Sequence, residues 1–227
     1  MESLDGIVAF ESDDPPGFVI SGGSDADRFL MGLLRALADA VLIGAGTLRE
    51  EPLHLWIPER IYKPGADAYA ALRASLGKSP RPQLVVVSAS GALNLDAAAL
   101  REGALVITTE AGADRLAGKL PPASSVRVLG TGRGVDVRDV VASLRADGFE
   151  SILSEGGPHL FGDLVAAGLV NELFLTLSPV LSGRSEKHFG LIEGVQLLPQ
   201  VRAGAELLSA RRHGSHLFLR YGLRRSS

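Results

Sequence analysis

The chain has 227 residues, of which 46% are apolar and 22% charged, with a net charge of −3. That is ample length for a buried core and shows no basic footprint for nucleic acid. With no cysteine, disulfides, thiolate metal sites and cysteine nucleophiles are excluded. No apolar run approaches the roughly 18 residues of a membrane span, and no basic-then-apolar signal opens the chain, so a cytoplasmic globular protein without membrane or nucleic-acid partners is expected.

In chain order, Ser24 can cap a helix in which Ala26, Phe29, Leu30, Leu33, Leu34 and Leu37 recur at three-four spacing, with Asp27 at the reciprocal capping position. Ala40-Val41-Leu42-Ile43 then reads as a buried strand ending at Gly44. Residues 52–82 read as an insertion, with Pro58, Pro64, Pro80 and Pro82 around an Ala-rich stretch at 66–76 that can form a short helix. Residues 84–88 and 104–108 are two further buried strands, and 126–129 a fourth. Val137, Val140, Val141 and Leu144 mark a helix that stops at Gly148, and Ser151-Ile152-Leu153 is a fifth strand. A helix opens at Pro158 and ends near Gly168. From residue 172 the period becomes two, with Leu173, Leu175 and Leu177 alternating, and residues 206–212 and 215–221 flank His213-Gly214 as a hairpin. Strand-helix alternation followed by alternating strands predicts a mainly parallel sheet with antiparallel C-terminal strands.

Open α/β sheets bind ligands beyond the carboxyl ends of their strands. Three strand ends carry suitable chemistry. Gly44-Ala45-Gly46-Thr47-Leu48-Arg49 offers glycines for close backbone approach to a phosphate, a hydroxyl and a cation. Standing alone it is as easily a tight strand-to-helix turn, and Arg49 occupies the third glycine position of a dinucleotide fingerprint. Ser88-Ala89-Ser90 and Thr108-Thr109 can bond a ribose or its 2′-phosphate, although hydroxyl residues are common where strands end. Ser154-Glu155-Gly156-Gly157-Pro158 places two glycines before a helix start, where free N–H groups favour an anion. Glu155 is unexpected there, because two like charges about 6 Å apart repel by roughly 3 kcal/mol at an effective dielectric near 20. It is therefore expected to point away from the phosphates. Gly130-Thr131-Gly132-Arg133-Gly134 lacks the spacing of a nucleotide loop, and His213 and His216 have no third ligand nearby, so no metal site is expected.

Together these segments resemble the RibD C-terminal family, the reductase domain of riboflavin biosynthesis. The matching residues include Ser3-Leu4-Asp5-Gly6, Ile20-Ser21-Gly22, the run from Ala40 to Arg49, Leu153 to Leu160, Ala167 to Leu173, and Ser178-Pro179-Val180-Leu181-Ser182-Gly183. The resemblance implies a three-layer α/β/α fold like that of dihydrofolate reductase, over one domain of residues 1–227. It implies NADPH as cofactor, held by Gly44, Ala45, Gly46, Thr47, Arg49, Ser88, Ser90, Thr108, Glu155, Gly156, Gly157, His159 and Leu160, with a cis peptide between Gly156 and Gly157. Ser3, Asp5, Glu51 and Pro52 fall on the substrate side, with Glu155, Asp5 and Glu51 as catalytic carboxylates. The implied activity is reduction of 5-amino-6-(5-phosphoribosylamino)uracil by a homodimer. A dihydrofolate, pterin, carbonyl or imine substrate, and a nucleotide-binding module without catalysis, are the alternatives.

The chain departs from the family pattern in three places. Ser3 follows only Met1 and Glu2, where the family has a strand, so either a neighbouring chain covering that gap or a compromised site is expected. Glu50-Glu51-Pro52, followed by Leu53-His54-Leu55-Trp56, stands where riboflavin enzymes carry Asp-Asp-Pro or Asn-Asp-Pro and a nearby arginine. No zinc deaminase signature can be present without cysteine.

Overall fold

The computed structural model describes residues 1–10, 16–132, 134–183, 188–199 and 204–224. The chain divides into two compact units, one of residues 28–157 and one of residues 1–27 with 158–227.

The unit of residues 28–157 is built on a parallel sheet. Its strands are β2 (Ala40–Gly44), β3 (Gln83–Val87), β4 (Ala104–Thr109), β5 (Ser125–Gly130) and β6 (Ile152–Ser154), in the order β5-β4-β3-β2-β6. β2 and β4 are covered on both faces, so their sequences are continuous apolar runs and not alternating ones. The core gathers Val41, Ile43, Leu48, Trp56, Val86, Leu100 and Val106. From β2 the chain steps outward through β3, β4 and β5, then returns to place β6 on the other side of β2. The direction of winding therefore reverses between β2 and β6, and at such a switch point the loops leaving the two strands part and open a crevice.

Helices α2 (Asp25–Leu37), α3 (Ala45–Glu50), α4 (Pro58–Ile61), α5 (Ala66–Ser75), α6 (Ala98–Glu102), α7 (Glu110–Leu116) and α8 (Val137–Ala146) connect or cover these strands. The Ser24 hydroxyl accepts the Asp27 N–H at 3.4 Å, as the capping pattern predicts. The apolar stripe of α2 is not its most buried face. Gly32, Arg35 and Ala36 are buried, whereas Phe29 is 47% exposed.

That inversion comes from the insertion, which is packed in place by α4, a 3-10 turn at Lys63–Gly65 and α5. The Tyr69 ring lies against Gly32 of α2 and Gly65, where an added Cβ would come within 2.7 and 2.6 Å of it. Its hydroxyl donates to the Phe29 carbonyl at 2.9 Å. Arg73 is fully buried and donates to the carbonyls of Arg35, Ala36, Ala38 and Ser79 at 2.7–3.1 Å. A guanidinium thus closes the C-terminus of α2, where helix carbonyls lack intrahelical partners and carry negative partial charge.

The other unit has an antiparallel sheet of β7 (Glu172–Leu177), β10 (His216–Arg224) and β9 (Gly204–His213), in the order β7-β10-β9. Gly214, at φ +57, turns the β9–β10 hairpin. β1 (Ala9–Phe10) pairs with β8 (His188–Phe189). Helices α1 (Pro16–Ser21) and α9 (Pro158–Ala166) belong here too. Glu2 bridges Leu177 in parallel, which lays the first residues along β7. The sequence reading placed no helix at 16–21. Arg133 and Arg225 lie outside the described residues.

Replacing Arg73 by Met keeps bulk but leaves carbonyls at the end of α2 without a donor. We expect Arg73→Met to lower unfolding free energy in urea by about 2–4 kcal/mol; a loss below about 1 kcal/mol would contradict the capping role.

Candidate active site

Parallel pairing puts the exits of β2 and β6 side by side, with Leu42 opposite Ser154. The Glu155 N–H then donates to the Leu42 carbonyl at 2.9 Å, extending the pairing by one residue. The two glycine-bearing segments converge here, since a Cβ on Gly157 would lie 3.6 Å from the Thr47 hydroxyl. The expected Gly44–Arg49 loop is largely the first turns of α3, with Gly44 as its extended N-cap residue.

The cis peptide expected between Gly156 and Gly157 is not found. Among the described residues the cis bond is Leu198–Pro199. A trans Gly–Gly bond avoids about 3–4 kcal/mol, and the Glu155 backbone and side-chain bonds hold the turn without it.

The Glu155 carboxylate pairs with Arg35, which sequence reading missed. Arg35 Nε and Nη2 donate to Glu155 Oε1 and Oε2, each at 2.7 Å. The Arg35 and Glu155 side chains are only 3% and 11% exposed, so this is a buried two-pronged ion pair. Such a fork is geometrically specific, and loss of one member strands a desolvated charge. The signal in the sequence was an arginine between Leu34 and Ala36, in the otherwise apolar stretch of α2 after Arg28.

Glu51 and His54 lie in the same unit, after α3. The Glu51 N–H closes α3 on the Thr47 carbonyl at 3.1 Å, and the His54 N–H donates to the Glu51 carbonyl at 3.1 Å. Burial raises the Glu51 pKa; Arg35 opposes this, and Glu155 and Glu50 add to it. His54 Nδ1 is 3.4 Å from Glu51 Oε2. Burial, then Arg35, lowers the His54 pKa to about 4, against an upward pull from Glu155. The imidazole is therefore neutral at pH 7, and its contact with Glu51 is not one between two full charges. His54 Nε2 is buried without a partner. A proton there would be an unpaired buried donor costing about 1–3 kcal/mol, which favours the tautomer with Nδ1–H toward Glu51. Trp56 meets the imidazole edge-on at 4.8 Å between ring centroids. It is buried at φ +41, a strained value for a non-glycine residue, held because the indole is part of the core.

The hydroxyl strand ends divide. Thr108 is fully buried and donates to the Ser88 carbonyl at 2.6 Å; Thr109 donates to the Ala89 carbonyl at 2.8 Å and caps α7 through Gly112 N–H. Both hydroxyls brace the turn after β3, so the structure sets Thr108 behind that turn. Ser88 is buried, and exposed Ser90 accepts the Ala92 N–H at 3.3 Å. Gly91, at φ +65 against the Gly112 carbonyl, has no room for a side chain. Beside this turn lies a pocket of about 590 Å³, with Arg49, Arg115 and Lys119 on its wall among apolar groups that include Leu93, Leu95 and Leu116. Arg49 Nη1 donates to the Ala92 carbonyl at 3.3 Å. Cations on an apolar wall fit an anionic, ring-bearing ligand. Arg115, on α7, and Lys119, just beyond it, were not singled out in the sequence.

In the unit of residues 1–27 and 158–227, Ser3 is fully buried and donates to Asp5 Oδ1 at 2.6 Å. Asp5 also accepts the N–H groups of Ser182 and Gly183 at 3.0 and 2.8 Å. These bonds, the Ser3 hydroxyl first, hold the Asp5 pKa down to about 2. Both groups are committed to clamping the N-terminal segment. His159 is exposed on the first turn of α9, its ring 6.2 Å from that of Phe189, and Leu160 is half-buried.

The His54 shift has a defined sign. An unfolded imidazole takes its proton near pH 6.5, whereas folded His54 resists until about pH 4. Its contribution is therefore complete above pH 6.5 and lost as the pH falls toward 4, by up to about 3 kcal/mol. His54→Leu should flatten unfolding free energy over that window; an unchanged slope would contradict a buried neutral imidazole.

Comparison with known proteins matches residues 1–215 to the RibD C-terminal domain family. No curated protein matches the chain. Among solved structures, the chain is similar to a pyrimidine reductase-like protein from Corynebacterium diphtheriae, at 23% identity and TM-score 0.73, covering 99% of this chain and 90% of that one. It is also similar to a diaminohydroxyphosphoribosylaminopyrimidine deaminase/5-amino-6-(5-phosphoribosylamino)uracil reductase from Thermotoga maritima, at 18% identity and TM-score 0.69, covering 98% of this chain and 54% of that one. The riboflavin biosynthesis reductase Rib7 of Saccharomyces cerevisiae is similar at 13% identity and TM-score 0.65, covering 98% and 86%. At these identities the likeness establishes the fold, which is the α/β class expected, with a parallel five-stranded sheet and added antiparallel strands. On the match over nearly its whole length, the chain belongs to the RibD C-terminal domain family.

Proposed function

We propose that the chain is an NADPH-dependent reductase of a heterocyclic small molecule, with 5-amino-6-(5-phosphoribosylamino)uracil as the default substrate. The observation that carries the reading is the convergence, at the β2/β6 switch point, of the Gly44–Thr47 segment with Gly156 and Gly157. Ligands of open α/β sheets bind at such points, and family membership supports a dinucleotide as the ligand.

In this reading the backbone of residues 44–47 and 156–157 holds the pyrophosphate, and Ser88 and Ser90 flank the adenosine ribose. Arg49, Arg115 and Lys119 supply charge for a 2′-phosphate. Bound NADPH supplies hydride, and the protein's part is orientation and proton handling. Glu51, half-exposed beside Pro52, is assigned the proton. Glu155, with both oxygens on Arg35, is assigned to hold the turn. The role of Asp5 shifts from catalysis to clamping the N-terminal segment with Ser3. A cytoplasmic homodimer completes the reading, as the resemblance implies. The Leu53-His54-Leu55-Trp56 run, in place of the family's nearby arginine, favours a second reading in which the same cofactor reduces a pterin or another imine.

Millimolar NADPH should raise the melting temperature by several degrees, as expected when a ligand far above its Kd binds only the folded state. Charge reversal by Lys119→Glu should weaken NADPH binding about tenfold while changing NADH binding by less than about twofold. Absence of any thermal shift would sink the cofactor assignment. Following NADPH absorbance with the ribosylaminouracil and with dihydrofolate separates the two substrate readings.

A further inference from the structure

His54 has no part in the reading above, yet it is placed against the carboxylate that the reading needs. Its Nδ1 lies 3.4 Å from Glu51 Oε2. Its backbone N–H closes a turn on the Glu51 carbonyl at 3.1 Å. Trp56 braces the ring from the side, and Nε2 is sealed from solvent without a partner. The imidazole is thus held by its backbone and by packing, with one nitrogen available to a side chain.

We propose that His54 is a positioning residue, whose Nδ1–H holds the Glu51 carboxyl in the orientation from which Glu51 delivers a proton to the substrate. The proposal rests on the reading of the chain as a reductase with Glu51 on the substrate side. Reduction of a C=N bond needs a hydride on carbon, from the reduced dinucleotide already assigned, and a proton on nitrogen. The Glu51 O–H bond breaks, an N–H bond forms, and Glu51 is left as a carboxylate that Nδ1–H then stabilises. The Glu51 side chain is 34% exposed, which lets it regain a proton from water.

The charged surroundings suit these roles. Burial, helped by Arg35 and Arg60, keeps the imidazole neutral against the pull of Glu155, so it does not compete as a cation. Burial, with Glu155 and Glu50, keeps a proton on Glu51 to higher pH than on an ordinary glutamate, and Arg35 limits the effect. At 3.4 Å the contact is long for a hydrogen bond to a neutral carboxyl. A bond to an ionised acceptor is shorter and stronger, so Nδ1–H closes on Glu51 as the carboxylate forms, with or without substrate.

Two variants and two readouts test the proposal. His54→Leu removes the donor, whereas His54→Asn keeps an N–H near the Nδ1 position. In protein free of cofactor, carbon NMR of labelled glutamate carboxyls should show Glu51 titrating about one unit higher in His54→Leu, because a donor to the carboxylate is lost, and near its original value in His54→Asn. In turnover, His54→Leu should lower kcat about tenfold with KM within about twofold, and His54→Asn should recover most of it. An unmoved Glu51 titration in His54→Leu would overturn the proposal, whatever the turnover. Failure of NADPH to bind, with the titration shift present, would instead overturn the reductase reading and leave the His54–Glu51 pairing standing.

Discussion

The buried fork between Arg35 and Glu155 fixes the arrangement on which the candidate site depends. Removing a guanidinium and a carboxylate from water is costly, and the cost is recovered only when both groups meet in good geometry. Here both oxygens are bonded at 2.7 Å, which ties α2 to the exit of β6. That exit carries Gly156 and Gly157. The turn that brings these glycines to Thr47 is thus held by an electrostatic bond behind it, with no need of an unusual peptide geometry.

The fork also divides labour among the acids. Arg35 acts on both Glu155 and Glu51, and Glu155 takes the two bonds along one edge of it. Glu51 receives only the longer-range attraction of Arg35, which does not outweigh burial and the neighbouring Glu155 and Glu50. One carboxylate thereby has both oxygens committed to Arg35, and in the other burial favours the protonated form. Two carboxylates whose environments differ in this way can take different chemical roles. The insertion contributes from behind. Arg73 of α5 closes the end of α2, the helix that presents Arg35, and Tyr69 fills the space between Gly32 and Gly65.

The framework was legible in the sequence because each element has a local cause. The apolar runs at 40–44 and 104–109 are the continuous pattern of doubly covered parallel strands. The period of two after residue 172 marked the antiparallel sheet. The glycines at the ends of β2 and β6 marked strand-end loops suited to a phosphate, whereas their meeting at a switch point needed the strand order. What escaped was long-range. The Arg35–Glu155 pair spans 120 positions, and nothing local to Glu155 tells that its charge is neutralised by a helix so far upstream. Thr108 looked like a ligand group because strand-end hydroxyls can serve as one, but it bonds a carbonyl from the adjacent strand's exit. The positively charged pocket wall joins Arg49 to Arg115 and Lys119, which only the fold brings together.

The central claim is that Glu155 acts through Arg35 and not as a free acid. A double-mutant cycle of Arg35→Met and Glu155→Gln, read by urea unfolding, measures that coupling directly. Each single variant should lose about 3 kcal/mol or more, and the double variant much less than their sum, giving a coupling of at least about 2 kcal/mol. Additive losses, with coupling under about 0.5 kcal/mol, would contradict the account.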